Sequence, residues 1–239
     1  MKWLFSLLGI HRNSAEDDAR LEQYQAFREL GRHYNLGLIK RLPPSALPEC
    51  SKKLGLSKAG TLILNQDDEI AVLYDYCLHH HRRAGKNIIE RTLGDQTAPA
   101  VGSPERVYLE AMNHAFFSVF QIVEILPQKG ARLTDLLTHR TLDIMDLGLS
   151  SAGIPGVIVA GRLLTIDTFT MSSGTLVPLP EFIIDQRIQP VISKFTVGKS
   201  LAQGQRLSPG QSAAFESQIL RIALNMSGED NSFYTDIDA

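Results

Sequence analysis

Cysteine is nearly missing from this chain of 239 residues: Cys50 and Cys77 are the only two. Two thiols exclude a disulfide framework and any four-cysteine zinc site, and a reducing cytoplasm is their simplest setting. An excess of one charge is missing too. With 24 Lys and Arg against 26 Asp and Glu the net charge is −2, so no global field draws the chain to nucleic acid or anionic lipid. Binding of either kind would need a local patch. Long apolar runs are also lacking. The stretch from Trp3 to Ile10 is far short of the ~20 residues that span a bilayer, so no transmembrane segment is expected. It is followed by HRNSAEDD rather than by a small-residue cleavage site, so it reads as a packed or frayed end, with contact to a membrane surface as the alternative. No internal repeat is visible.

What is present is an ordinary globular composition, 44 % apolar and 21 % charged, enough to bury a core. The chain divides by pattern into a helical region over 1–100, a β-rich module over 101–180, C-terminal helices over 181–226 and an acidic, disordered tail over 227–239. Ser14 caps a long helix over 14–41 whose stripe is Leu21, Tyr24, Phe27, Leu30, Tyr34 and Leu38, and Pro43-Pro44 ends it. A short helix follows over 45–54, closed by Gly55, then a short strand over 61–64. The spacing predicts one helix over 67–93, with Gly85 positioned to end or kink it. On that helix Cys77 and His80 fall on the buried stripe, His79 and His81 at its margins, and Arg82 and Lys86 outside. Ser103-Pro104 opens a further helix.

From Phe116 to Pro178 the chain turns β-branched and aromatic, with turn signals at PQKG, HR, SSAGIPG and DT. Five antiparallel strands in meander order are expected, and Phe116–Leu126, apolar on both faces, suits a small, partly closed barrel. A helix broken near Pro190 and a last helix from Ser208 to Asn225 complete an α+β protein.

Several chemistries fail on spacing. Cys77 with His80 or His81 supplies two metal ligands on one face, but no second pair exists to close a zinc site, so no metal and no cofactor are expected. Gly148-Leu149-Ser150-Ser151-Ala152 approaches a nucleophile elbow, yet it sits in a loop before another strand. Gly198-Lys199-Ser200 lacks the first glycine of a phosphate-binding loop. Two groups remain. Arg82, Arg83, Lys86 and Arg91 form the densest basic cluster, a candidate anion-binding face. Arg162 shares a strand face with Ile158, Ala160 and Leu164, where an unpaired charge is costly; Asp135 or Asp143 on a neighbouring strand is its expected partner, as a structural pair or as the core of an active site.

Two blocks carry a resemblance. "YDYCLHHHRRAGKNIIERTL", and "LEAMNHAFFSVFQIVEILPQKGARLTDLLTHRTLDIMDLGLS" with "PGVIVAGRLLTIDTFTMSSGTLVPLP", together cover roughly residues 70–180. They resemble a widespread group of uncharacterised bacterial proteins, some of which carry a SEC-C zinc-binding tail. No such cysteine-rich tail is seen here, so the resemblance brings no zinc and no catalytic residue. It implies that the helix and the strands belong to one structural unit. The function expected is a non-enzymatic cytoplasmic interaction or regulatory module, its partner an unknown protein or a second copy. Binding of RNA or single-stranded nucleic acid through the barrel and the basic face is the alternative, and a small-molecule enzyme using Asp135, Asp143 and Arg162 comes third.

Overall fold

The computed structural model describes residues 15–64, 66–198, 201, 206–225 and 234–235. The Trp3–Ile10 run and most of the acidic tail lie outside them. Helix α1 (Ala15–Lys40) opens with Glu16, Asp17 and Asp18, where the helix dipole favours acid, and buries Tyr24, Phe27 and Leu38. α2 (Ala46–Leu54) ends at Gly55, whose φ of +77° is the left-handed C-cap that glycine adopts without strain. Two-residue strands β1 (Ser57–Lys58) and β2 (Thr61–Leu62) form a small hairpin before α3 (Asp68–His80). α4 (Ile88–Leu93) and α5 (Pro104–His114) follow, the latter capped by Ser103 as its sequence predicts.

Five strands then close a barrel: β3 (Phe116–Leu126), β4 (Gly130–Asp135), β5 (Thr141–Met145), β6 (Ile158–Ile166) and β7 (Phe169–Leu179). Their order is β5-β4-β3-β6-β7, and β5 meets β7 in parallel at Met145 and Met171. The barrel is therefore mixed rather than purely antiparallel, and it is closed rather than partly open. The order departs from a meander because the SSAGIPG segment is no hairpin loop. Asp146 accepts a hydrogen bond from the Leu149 N–H and starts a short helix, α6 (Leu147–Ala152), that carries the chain across to β3. Phe120, Ile122, Leu133, Ile144, Val159, Leu163 and Leu176 fill the barrel interior. The other face of β3 explains its double apolarity: Phe117 and Val119 pack outward against helices.

After β7 comes a helical turn, α7 (Glu181–Ile183), then a π-helical turn over Ile184–Ile188 and α8 (Gln189–Thr196). The wide turn precedes Pro190, which lacks an N–H and whose ring would crowd a regular preceding turn. α9 (Pro209–Leu224) starts in a Ser208–Gln211 capping box and lies over the barrel. Two apolar clusters bind the helices to the outer barrel wall. One joins α2, α3, α8 and α9 to Phe117, Ala160 and Val177; the other joins α1, α4 and α5 to Leu164, Ile166 and Met171. In the tail, Tyr234–Thr235 (β8) pairs with Thr175 and Leu176 of β7, where disorder was expected. Among the described residues no helix is long and apolar enough to cross a membrane.

Candidate functional site

The expected helix over 67–93 breaks at the end of its histidines. α3 stops at His80, His81 is extended, and Arg83 and Lys86 exchange backbone hydrogen bonds across Ala84 and Gly85. Both central residues have positive φ, +51° and +78°, the geometry of a tight hairpin turn that glycine favours. Asn87 then accepts from the Glu90 N–H while Glu90 accepts from the Asn87 N–H, so a capping box restarts the helix as α4. The break dissolves the expected basic helix face. Arg82 turns back to Glu90 at 2.9 Å, Arg91 donates to the Lys86 carbonyl, and Arg83 and Lys86 stand exposed on the turn. Burial and the charges of Arg83 and Arg41 lower the Arg91 pKa, so Arg41 at the end of α1 joins what remains of this positive face.

The three histidine side chains are all buried and turn to three different carboxylates. His80 Nε2 is 2.7 Å from Glu216, His81 Nε2 is 3.4 Å from Glu49, and His79 Nε2 is 4.0 Å from Asp75. Such a divergence cannot chelate one ion, and no group of three metal-ligating side chains occurs among the described residues. His79 Nε2 has no hydrogen-bond partner.

Arg162 is 2 % exposed and is the hub of the site. Its Nε donates to Asp75 Oδ2 at 2.9 Å and its Nη2 donates to both Glu216 oxygens at 2.7 Å. The expected pairing with Asp135 or Asp143 does not form. Arg162 shares the outward face of β6 with Ala160 and Leu164, so its partners come from the covering helices α3 and α9 rather than from a neighbouring strand. Asp135 instead holds the β4–β5 turn, accepting from Ser118 Oγ, Thr138 Oγ1 and the Leu137 N–H. Asp143 pairs with Arg132 on the exposed surface at 2.7 Å.

Burial alone would push the Glu216 carboxyl up and the Arg162 guanidinium down in pKa. Their mutual attraction, with His80 beside Glu216 and Asp75 beside Arg162, outweighs it and keeps both charged. His79 goes the other way. Burial, then the charges of Arg162 and His80, hold it well below 6.5 and therefore neutral. The unfolded chain thus binds a proton at His79 below about pH 6.5 that the folded chain refuses, so stability falls as pH drops. Urea denaturation between pH 7.5 and 5.5 should show a loss of about 1.4 kcal/mol that the His79→Gln variant lacks. Equal slopes in the two proteins would contradict a neutral His79. The Glu216 contribution, with its pKa lowered from 4.5, is lost only at more acid pH.

The Arg162 and His80 side of this network borders a cleft of about 590 Å³. Phe116, Ser118 and Asp135 from the barrel line one side, Asn113 stands at the end of α5, and Arg206, Leu207 and Ser212 bring in the start of α9. His79, His80 and Arg162 line it from below, and Arg82 and Arg140 also reach it. Arg162 and Asp135 therefore share one cleft without touching, while Asp143 lies outside it. Arg162 Nη1 and His80 Nδ1 have no hydrogen-bond partner among the described residues. His80 Nε2 faces a carboxylate, which can only accept, so Nε2 carries a proton. A second, more open cleft of about 740 Å³ also borders His80 and is lined by Glu49, Tyr76 and His81.

A family model described as a family of unknown function (DUF7986) matches residues 18–196, three quarters of the chain. The chain belongs to this family. No curated protein and no solved structure matches it. The DUF7986 match runs from α1 to the end of α8, so it contains Asp75, the three histidines and Arg162 but not Glu216 or Arg206. Sequence reasoning missed Glu216 altogether. The signal was there: Glu216 sits one turn from Ile219 and Leu220, a carboxylate on the buried stripe of a helix.

Proposed function

We propose that the protein is a non-enzymatic regulatory module whose cleft binds a small molecule above Arg162 and His80. The observation that carries this is the placement of a buried ionic network under a cleft of about 590 Å³, within the size range of small-molecule sites. A buried charge network seldom adds stability over apolar packing, so its position beneath a cleft is what gives it a use. The barrel itself is filled by side chains, so a ligand has to sit outside it. A reducing cytoplasm fits the two free, buried thiols. A change of the bound molecule would reach a protein partner through α9, which supplies both Glu216 and one cleft wall.

The test is thermal unfolding of the full chain with a panel of small carboxylates, amino acids, sugar phosphates and nucleotides. A compound at a hundred times its dissociation constant adds about 2.7 kcal/mol, which should raise Tm by roughly 5 °C or more. Asn113→Trp, at an exposed position on the cleft wall, should abolish the shift. A panel without any shift, or a shift that survives Asn113→Trp, would contradict the reading.

A further inference from the structure

We infer that the molecule taken by the cleft is a mononucleotide, its base against the floor and its phosphate at the rim. The inference rests on the cleft being a ligand site, and three features of the lining support it. The floor offers an unengaged donor at Arg162 Nη1, since the carboxylates take only Nε and Nη2. Arg162 Nη2 lies 3.5 Å from His80 Nε2, so the two side chains are direct neighbours. A nucleobase edge carries ring-nitrogen and carbonyl acceptors that answer such a donor. Arg162 can donate there without presenting net positive charge, because Asp75 and Glu216 already compensate it.

The second feature is Phe116. It leaves 38 % of its surface exposed although it sits in the cleft wall, and Phe120 meets it edge-on at 6.2 Å between centroids. An exposed ring above a polar floor is a stacking platform for a planar heterocycle. The third feature is the rim. Arg82 is matched by Glu90 and Asp135 is satisfied by three donors, whereas Arg206 meets no carboxylate among the described residues. Arg206 lies three residues before α9, whose first turn forms the same wall and carries the positive end of a 16-residue helix. That rim suits a phosphate.

Isothermal titration of the full chain at about 0.1 M salt tests this with mononucleotides (UMP, AMP, GMP), their nucleosides, and ribose 5-phosphate. At least one mononucleotide should bind about tenfold more tightly than its nucleoside and than ribose 5-phosphate, since each loses one of the two anchors. Arg206→Ala should reduce that nucleotide to the affinity of its nucleoside and leave the nucleoside unchanged. Phe116→Ala should weaken both. Equal binding of nucleoside and nucleotide, or of ribose 5-phosphate and nucleotide, overturns the inference. So does a tetranucleotide that binds more than tenfold more tightly than any mononucleotide, because the occupant is then a strand. If no nucleotide binds while another panel compound shifts Tm in an Asn113-dependent way, the ligand class is wrong and the cleft reading stands. If nothing binds, both fall.

Discussion

Arg162→Met should lower the unfolding free energy by about 3–5 kcal/mol, because it leaves the Glu216 carboxylate, 1 % exposed, with the His80 imidazole as its remaining partner and Asp75 without its cation. Methionine keeps the length of the side chain, so packing against Ala160 and Leu164 is largely retained and the loss reads charge. The double variant Arg162→Met with Glu216→Leu should recover most of the loss, since replacing both partners by apolar groups removes the stranded charge. Arg162→Lys should fall between: it keeps a cation but cannot fork to Asp75 and Glu216 at once. Urea denaturation at pH 7.5 measures all three. A loss below about 1 kcal/mol in Arg162→Met would mean that Glu216 reaches water or another cation, and the hub would be misplaced.

The second large effect is expected at the barrel seam. Asp146 is buried between β5 and β7, where it accepts from Ser172 Oγ at 2.6 Å, pairs with Arg28 at 3.2 Å and caps α6 through the Leu149 N–H. Arg28 also donates to the Ser172 carbonyl at 2.8 Å, so one ion pair ties α1, β7 and the start of α6 together. Asp146→Ala should therefore cost about 2–4 kcal/mol, because it removes the ion pair with Arg28, the hydrogen bond from Ser172 and the cap of α6 at once. Asp143→Ala, three residues away on the exposed surface, removes a pair with Arg132 of similar length and should cost no more than about 1 kcal/mol. Near-equal losses in the two variants, read from urea midpoints, would contradict the burial contrast between them.

The fold was legible where local pattern decides it. The stripe of α1, the Ser103-Pro104 and Ser208-Pro209 starts, and the five strand segments follow from periodicity and capping chemistry alone. Strand order was not. Whether Asp146 opens a hairpin or a helix depends on what its carboxylate meets, and Arg28 stands 118 residues away. The site shows the same limit. Sequence identified Arg162 as a charge on an apolar face and correctly demanded a carboxylate for it, but sought that carboxylate in adjacent strands. Its partners lie 87 and 54 residues away on helices that cover the barrel. The triple histidine was legible as divergent, while the turn at Ala84-Gly85 that removes Arg82 and Lys86 from one helical face was not. Gly85 marked the position of that break, and the positive φ at Ala84 is imposed by the hydrogen bonds of the turn.

The central claim is that the cleft over Arg162 and His80 holds a small molecule. It is tested most directly by isolating the full chain from cells under native conditions and identifying by mass spectrometry the compounds released on denaturation. The account predicts a compound enriched with the wild-type protein and missing from Asn113→Trp prepared in the same way. The same set of compounds from both proteins, or none from either, would contradict it.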